Sequence, residues 1–180
     1  SHSIGYEISV TPLQMLQALN VIVNRGVKVP PRIVKNIPDS GMEIPASPLP
    51  YEKVISEETA LKVKTILQKV VLEGTGKTAQ IPGYTVFGKT GTAQKYDREA
   101  KAYLNSAHIA SFVGFVEKDR PLFSVIVVID DPKGHYYGGQ VAAPVFREIT
   151  AKTLRYFCVP PEKKTEETLI AAHTQKRNDE

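Results

Sequence analysis

Two runs of strand-forming residues, His108–Glu117 and Leu122–Asp130, are separated only by Lys118-Asp119-Arg120-Pro121. A connector that short closes a tight turn and nothing more, so the two runs must lie side by side and antiparallel. The second run is almost wholly apolar through Phe123-Ser124-Val125-Ile126-Val127-Val128-Ile129, which places it inside a sheet covered on both faces. A further strand signal, Tyr84 to about Lys95, precedes them, interrupted by Gly88 and Gly91. The apolar run is far short of the roughly 20 residues that a membrane helix needs.

The sheet needs covers, and the pattern supplies helices. Thr11 with Gln14 three residues later forms a capping-box pattern, and Pro12 suits the first helical position. Leu13, Leu16, Leu19, Ile22 and Val23 then share a face, and Arg25-Gly26 stops the helix. Val27 to Pro50 is rich in proline and reads as extended connections and turns. Ser56 caps a second helix that runs to about Glu73, with Glu57 and Glu58 at its positive end and Gly74 as its stop. Its buried face is Ala60, Val63, Leu67, Val70 and Val71, with Lys62, Lys64 and Lys69 mostly in water. Gly134–Gly139 reads as a glycine- and tyrosine-rich loop. A last helix, Val141–Phe157, turns Val145, Phe146, Ile149, Thr153, Leu154 and Phe157 inward, with Pro144 tolerated as a first-turn residue. Cys158 reads as a small buried hydrophobe.

Helix, helix, three strands, helix is the order of an α+β fold, an antiparallel sheet packed by helices. Three strands are thin for such cover, so further strands are expected to be missing. Residues 1–161 form one domain piece in this reading, and 162–180 a polar, disordered tail. Neither an initiator Met nor a basic, apolar leader opens the sequence, so it reads as a piece of a longer protein.

Composition removes several function classes. A net charge of +4 is modest, and the lysines are scattered among glutamates. Aromatics make up 8% with no Trp, too few and too dispersed for a base-stacking platform, so nucleic acid is not an expected partner. A single cysteine excludes an internal disulfide framework and a Cys-based metal site; neither a metal nor a cofactor is expected.

Lys89-Thr90-Gly91-Thr92 carries the chemistry. A cation and two hydroxyls suit a carboxylate, a free backbone N–H suits an oxyanion, and glycine in a strand marks close approach by a ligand or another backbone. A surface strand with one bulge glycine would give the same letters. Gly83-Tyr84-Thr85-Val86-Phe87-Gly88-Lys89-Thr90 also fits the phosphate-loop pattern, but its middle residues are strand formers and no helix opens after Thr90, so the physics of a phosphate cradle is absent. Gly74-Thr75-Gly76-Lys77-Thr78 fails because Val71 stands where that pattern needs glycine.

Tyr84-Thr85-Val86-Phe87-Gly88-Lys89-Thr90-Gly91-Thr92-Ala93-Gln94-Lys95 resembles the K-T-G motif region of class B penicillin-binding proteins, especially the division-type D,D-transpeptidases. Gly5–Gln14, Glu73–Lys77, Ser111–Phe115 and Tyr136–Phe146 resemble further family blocks in family order, so the likeness spans about residues 3 to 161. It implies the penicillin-binding transpeptidase and serine β-lactamase-like fold, and a serine acyl-enzyme that cross-links peptidoglycan stem peptides ending in D-Ala-D-Ala and is acylated by β-lactams. Lys89 would support proton transfer, Thr90 and Thr92 would receive the carboxylate, Thr92 N–H would be one oxyanion donor, and Gly91 would let substrate lie along the strand. Tyr136 and Tyr137 would wall the cleft. The family's S-x-x-K and S-x-N motifs do not occur here; Tyr103-Leu104-Asn105 follows K-T-G, the wrong order, and reads as loop. The nucleophile and its base are therefore expected outside this chain, in a missing N-terminal half, along with the family's two early strands, whose absence would leave an unpaired sheet edge, and most of its helical subdomain. The resemblance further implies a membrane-anchored, extracytoplasmic enzyme with divisome partners. The alternative is a non-catalytic pseudo-enzyme or binding module of the same fold.

Overall fold

The computed structural model describes residues 8–31, 51–97 and 99–162. The three expected helices and three expected strands form in the expected order, joined by a short β1–β2 pair and a 3₁₀ turn that were not expected: α1 (Pro12–Val23), β1 (Val27–Lys28), β2 (Glu52–Lys53), α2 (Glu57–Leu72), a 3₁₀ turn (Lys77–Ala79), β3 (Thr85–Asp97), β4 (Ala102–Glu117), β5 (Pro121–Asp130) and α3 (Gly138–Tyr156). Both helix starts are built as the sequence requires. The Thr11 hydroxyl accepts from Gln14 N–H while the Gln14 side chain accepts from Thr11 N–H, and the Ser56 hydroxyl accepts from Thr59 N–H. Most of the connection between β1 and β2, and the tail beyond Glu162, lie outside the described residues.

β3, β4 and β5 pair antiparallel in that order. Directly opposed residues share a face, so the register sorts every side chain. Phe87, Lys89, Gly91 and Ala93 lie with Phe115, Val113, Ser111 and Ile109; Val86, Gly88, Thr90, Thr92 and Gln94 lie with Val116, Gly114, Phe112, Ala110 and His108. The first face carries a stacked Phe87–Phe115 pair, centroids 4.6 Å apart, packed with Leu19 of α1 and Leu67 of α2. The second takes α3, with Phe112 and Phe146 in ring contact among Val116, Val127 and Leu154. Gly88 opposes Gly114, and a Cβ on Gly88 would lie 2.5 Å from the Phe112 ring; the glycine pair is what lets that ring lie flat on the sheet.

Several expectations need correction. The strand buried deepest is β4, the central one. Apolar β5 sits at the sheet's margin among the described residues, half-buried between α1 and α3, and tied to α1 by Ser124 Oγ donating to Asn20 Oδ1 at 2.6 Å. β4 begins at Ala102 rather than His108, because Tyr103-Leu104-Asn105 folds back onto β3 past a register shift between Gln94 and Tyr96. Leu13 is exposed; α1 buries only its second half, through Leu19 and Val21. Lys64 is half-buried, paired with Glu117 and 5.0 Å from the Phe87 ring centroid.

The last helix differs most. α3 starts at Gly138, which moves Pro144 from the first turn to the helix interior; its missing N–H leaves the carbonyl of exposed Gln140 to water. The buried face is Ala142, Ala143, Phe146, Thr150 and Leu154, while Val145, Ile149 and Phe157 are exposed. Small residues win the inner positions because the helix rides close over Phe112. Cys158 is also exposed, at φ 52° in the turn that ends α3. That turn swings its thiol outward and leaves Val159 to meet the core, where its carbonyl accepts from Tyr84 Oη. Glu162, expected to be loose, bonds Gly83 O through its N–H, and its carboxylate accepts from the Thr85 hydroxyl.

Among the described residues no helix is long and apolar enough to cross a membrane. Phe112 is wholly buried at the α3–sheet junction, so Phe112→Ala should cost about 3–5 kcal/mol of stability in urea unfolding; a loss under 1 kcal/mol would show that the ring is not the centre of this core.

Candidate active site

Lys89-Thr90-Gly91-Thr92 occupies the middle of β3, whose far side carries no strand among the described residues. Alternation divides the four residues. Lys89 leans to the α1–α2 face, Thr90 and Thr92 to the α3 face. The Lys89 ammonium donates to the Thr90 carbonyl at 2.7 Å, so this exposed side chain curls back along the strand toward its neighbour.

The α3 face of this segment is capped by the start of α3. Tyr137 is the helix's N-terminal boundary residue, with extended backbone and no side-chain cap, so the first helical N–H groups look for other acceptors. Gly138 N–H finds Thr92 Oγ1 at 3.0 Å. This contact requires glycine. A Cβ on residue 138 would fall 2.3 Å from Ser111 O and 2.5 Å from Gly91 O, and one on residue 139 would fall 2.3 Å from Thr75 O. The expected loop over residues 134–139 therefore ends two residues early, because its last two glycines are the helix's seat on the sheet.

Other hydroxyls converge on the same place. Thr75, in the turn after α2, has its Oγ1 2.7 Å from Thr90 Oγ1, and Thr78 Oγ1 donates to Gly139 O at 2.5 Å. On the opposite face Ser111 backs the strand: a Cβ on Gly91 would meet only the Ser111 hydroxyl, at 2.4 Å. Thr75, Ser111 and Gly138 were not picked out individually from the sequence. They are distant along the chain, and only their membership of blocks rich in glycine and hydroxyl residues marked them.

Tyr136 and Tyr137 lie on the Thr90–Thr92 side. Tyr136 stacks on His108, centroids 4.1 Å apart, and His108 opposes Gln94, two residues beyond Thr92. His108 thus serves as a platform inside β4, not as the opening residue of a strand. The Tyr136 hydroxyl donates to that of Tyr137 at 3.3 Å. That bond holds the Tyr136 phenol above its ordinary pKa.

An open cleft of about 930 Å³ runs along the α1–α2 face, between residues 8–12 with Met15 on one wall and Gly91–Tyr96 with Tyr103, Ile109, Ser111, Ile126 and Val128 on the other. At its end Lys95 pairs with Asp130 at 2.9 Å, and that carboxylate holds the Lys95 ammonium above its usual pKa. Beside it Asp131 is held below the usual carboxylate range by hydrogen bonding from Lys133. These charges are neutralised locally. Among the described residues no cluster of histidine, cysteine and carboxylate could hold a metal.

Comparison with known proteins matches residues 1–151 to the penicillin binding protein transpeptidase domain. Stage V sporulation protein D of Bacillus subtilis is 42% identical over 163 residues, 88% of this chain and 25% of that protein. Peptidoglycan D,D-transpeptidase FtsI of Escherichia coli K12 is 37% identical over 165 residues, 91% of this chain and 26% of that protein. The chain thus spans about a quarter of the length of these relatives. In structure it resembles penicillin binding protein 3 of Mycobacterium tuberculosis complexed with ampicillin, with TM-score 0.77 and 34% identity over 89% of this chain and 38% of that one. It also resembles the apo transpeptidase domain of Burkholderia pseudomallei penicillin-binding protein 3, with TM-score 0.76 and 38% identity over 91% of this chain and 47% of that one.

Proposed function

The chain belongs to the penicillin binding protein transpeptidase domain family, of the class B kind, and from that premise we propose that β3 is the substrate-binding strand of a peptidoglycan D,D-transpeptidase. The observation that carries this reading is the junction of strand and helix, where Thr90 and Thr92 stand beside the α3 N-terminus at a strand edge left free among the described residues. Hydroxyl donors beside a helix N-terminus suit a carboxylate, and a free edge suits an extended peptide.

In the complete enzyme a stem peptide ending in D-Ala-D-Ala lies along β3, with its terminal carboxylate on the Thr90 and Thr92 hydroxyls. A serine outside this chain attacks the penultimate D-Ala carbonyl. Thr92 N–H is one donor to the oxyanion, and the missing serine's N–H is the other. The C–N bond breaks, the terminal D-Ala leaves with the serine's proton on its amine, and an acceptor amine then resolves the acyl-enzyme. Lys89 supports that proton transfer through the S-x-N serine, its ammonium brought round toward Thr90 from the other face. A β-lactam follows the first half of this course and stops at the acyl-enzyme. The bond broken is then the ring amide, and its amine stays tethered. The ampicillin complex of the Mycobacterium tuberculosis relative supports including that ligand class. The reading places the enzyme on the extracytoplasmic side of the membrane, where its substrate is.

Labelling with a fluorescent penicillin tests this. The complete protein should be labelled covalently, and the 180-residue chain alone should not, since it carries no S-x-x-K. Lys89→Ala should slow acylation of the complete protein by about 10²-fold or more, while this exposed side chain moves stability by no more than about 0.5 kcal/mol. Reversible binding without covalent labelling would mark a pseudo-enzyme, and stoichiometric labelling of the isolated chain would reveal a nucleophile elsewhere.

The tyrosine pair has its own test. Replacing Tyr136 and Tyr137 together with Ala should slow acylation by β-lactams with bulky aromatic side chains more than acylation by a small, unsubstituted one. Equal losses for the two ligand types would mean that the pair acts through the fold.

A further inference from the structure

We propose that Thr75 is a positioning residue for carboxylate recognition, setting the direction in which the Thr90 hydroxyl donates; this rests on the carboxylate reading of Thr90 and Thr92 given above. A threonine hydroxyl has one hydrogen and can accept as well as donate. To serve an anion, it must keep that hydrogen free, so its accepting side has to be filled by the protein. Thr92 meets this condition: its Oγ1 accepts from Gly138 N–H at 3.0 Å, and the hydrogen is left for the ligand.

Among the described residues no backbone N–H donates to the Thr90 hydroxyl, but its Oγ1 lies 2.7 Å from Thr75 Oγ1. That pair can be wired in two ways. With Thr90 donating to Thr75, the hydrogen is spent inside the protein. With Thr75 donating to Thr90, both strand hydroxyls point a hydrogen at the same anion. A carboxylate selects the second arrangement, because the first would set a hydroxyl lone pair against a negative charge.

Thr75 is held for this purpose by contacts that its own side chain does not make. Gly74 N–H bonds Lys69 O and Gly76 N–H bonds Val70 O, which folds the turn back over the end of α2. Gly139 leaves room for Thr75 O where a Cβ would collide, and Thr78 Oγ1 ties the next part of the turn to Gly139 O. The Thr75 hydroxyl is therefore presented to Thr90 by a fixed backbone.

Acylation rates of the complete protein with benzylpenicillin and with its methyl ester separate this role from a structural one. Thr75→Val should slow acylation by benzylpenicillin about ten-fold, the scale of one hydrogen bond that serves a charged group. The rate with the ester should hardly change, and Thr75→Ser should restore the wild-type rate. Near-wild-type benzylpenicillin acylation by Thr75→Val, or equal losses for acid and ester with an unchanged Tm, would overturn the proposal. If Thr75→Val lowers Tm, the decision passes to Thr75→Ser and to the acid-to-ester ratio, which loss of folded protein does not alter. Thr90→Val is the control on the underlying reading. Should it leave the acid-to-ester ratio unchanged, the carboxylate site itself is wrong; should it alone lower that ratio, only the role of Thr75 is lost.

Discussion

The seating of Gly138 on the backbone of Gly91 and Ser111 is the contact on which the site depends. Without a side chain at residue 138, α3 approaches β3 closely enough for Gly138 N–H to reach Thr92 Oγ1. The same approach draws Gly139 beneath Thr75 and so brings the turn after α2 against Thr90. Three segments distant along the chain thus meet at one short stretch of strand. A methyl group at residue 138 would push against two carbonyl oxygens that belong to the sheet's own ladder, and neither can move without disturbing the β3–β4 register.

That register also explains the division of labour along β3. Strict alternation keeps Lys89 on the α1–α2 face, where it is exposed, and Thr90 and Thr92 on the α3 face. A strand with neighbours on both sides could not bring such groups to one ligand. A strand with an open edge can, because a ligand lying along it touches both faces at once. The Lys89 ammonium, bonded to the Thr90 carbonyl, already carries its charge toward that neighbour.

Much of this was legible from local signals. The turn Lys118–Pro121 dictates the β4–β5 hairpin, and Thr11, Gln14 and Ser56 mark helix starts because caps act within a few residues. The K-T-G stretch marked the candidate site because its chemistry and strand setting coincide on consecutive residues. What escaped depends on distant partners. Nothing local to Gly138 or Gly139 says that they are helical; the sheet beneath them decides it. Pro144 inside α3, exposed Cys158 and half-buried Lys64 follow from where α3 and α2 dock. Apolar β5 looked central by composition, yet the central place goes to β4, where Gly114 leaves room for the Phe112 and Phe146 rings.

A crystal structure of the complete protein acylated by benzylpenicillin tests the central claim most directly. The account places the ligand carboxylate within about 3 Å of the Thr90 and Thr92 hydroxyl oxygens, with the acyl carbonyl oxygen accepting from Thr92 N–H. A ligand bound away from β3, or one whose carboxylate is held by other groups while Thr90 and Thr92 stay untouched, would contradict it.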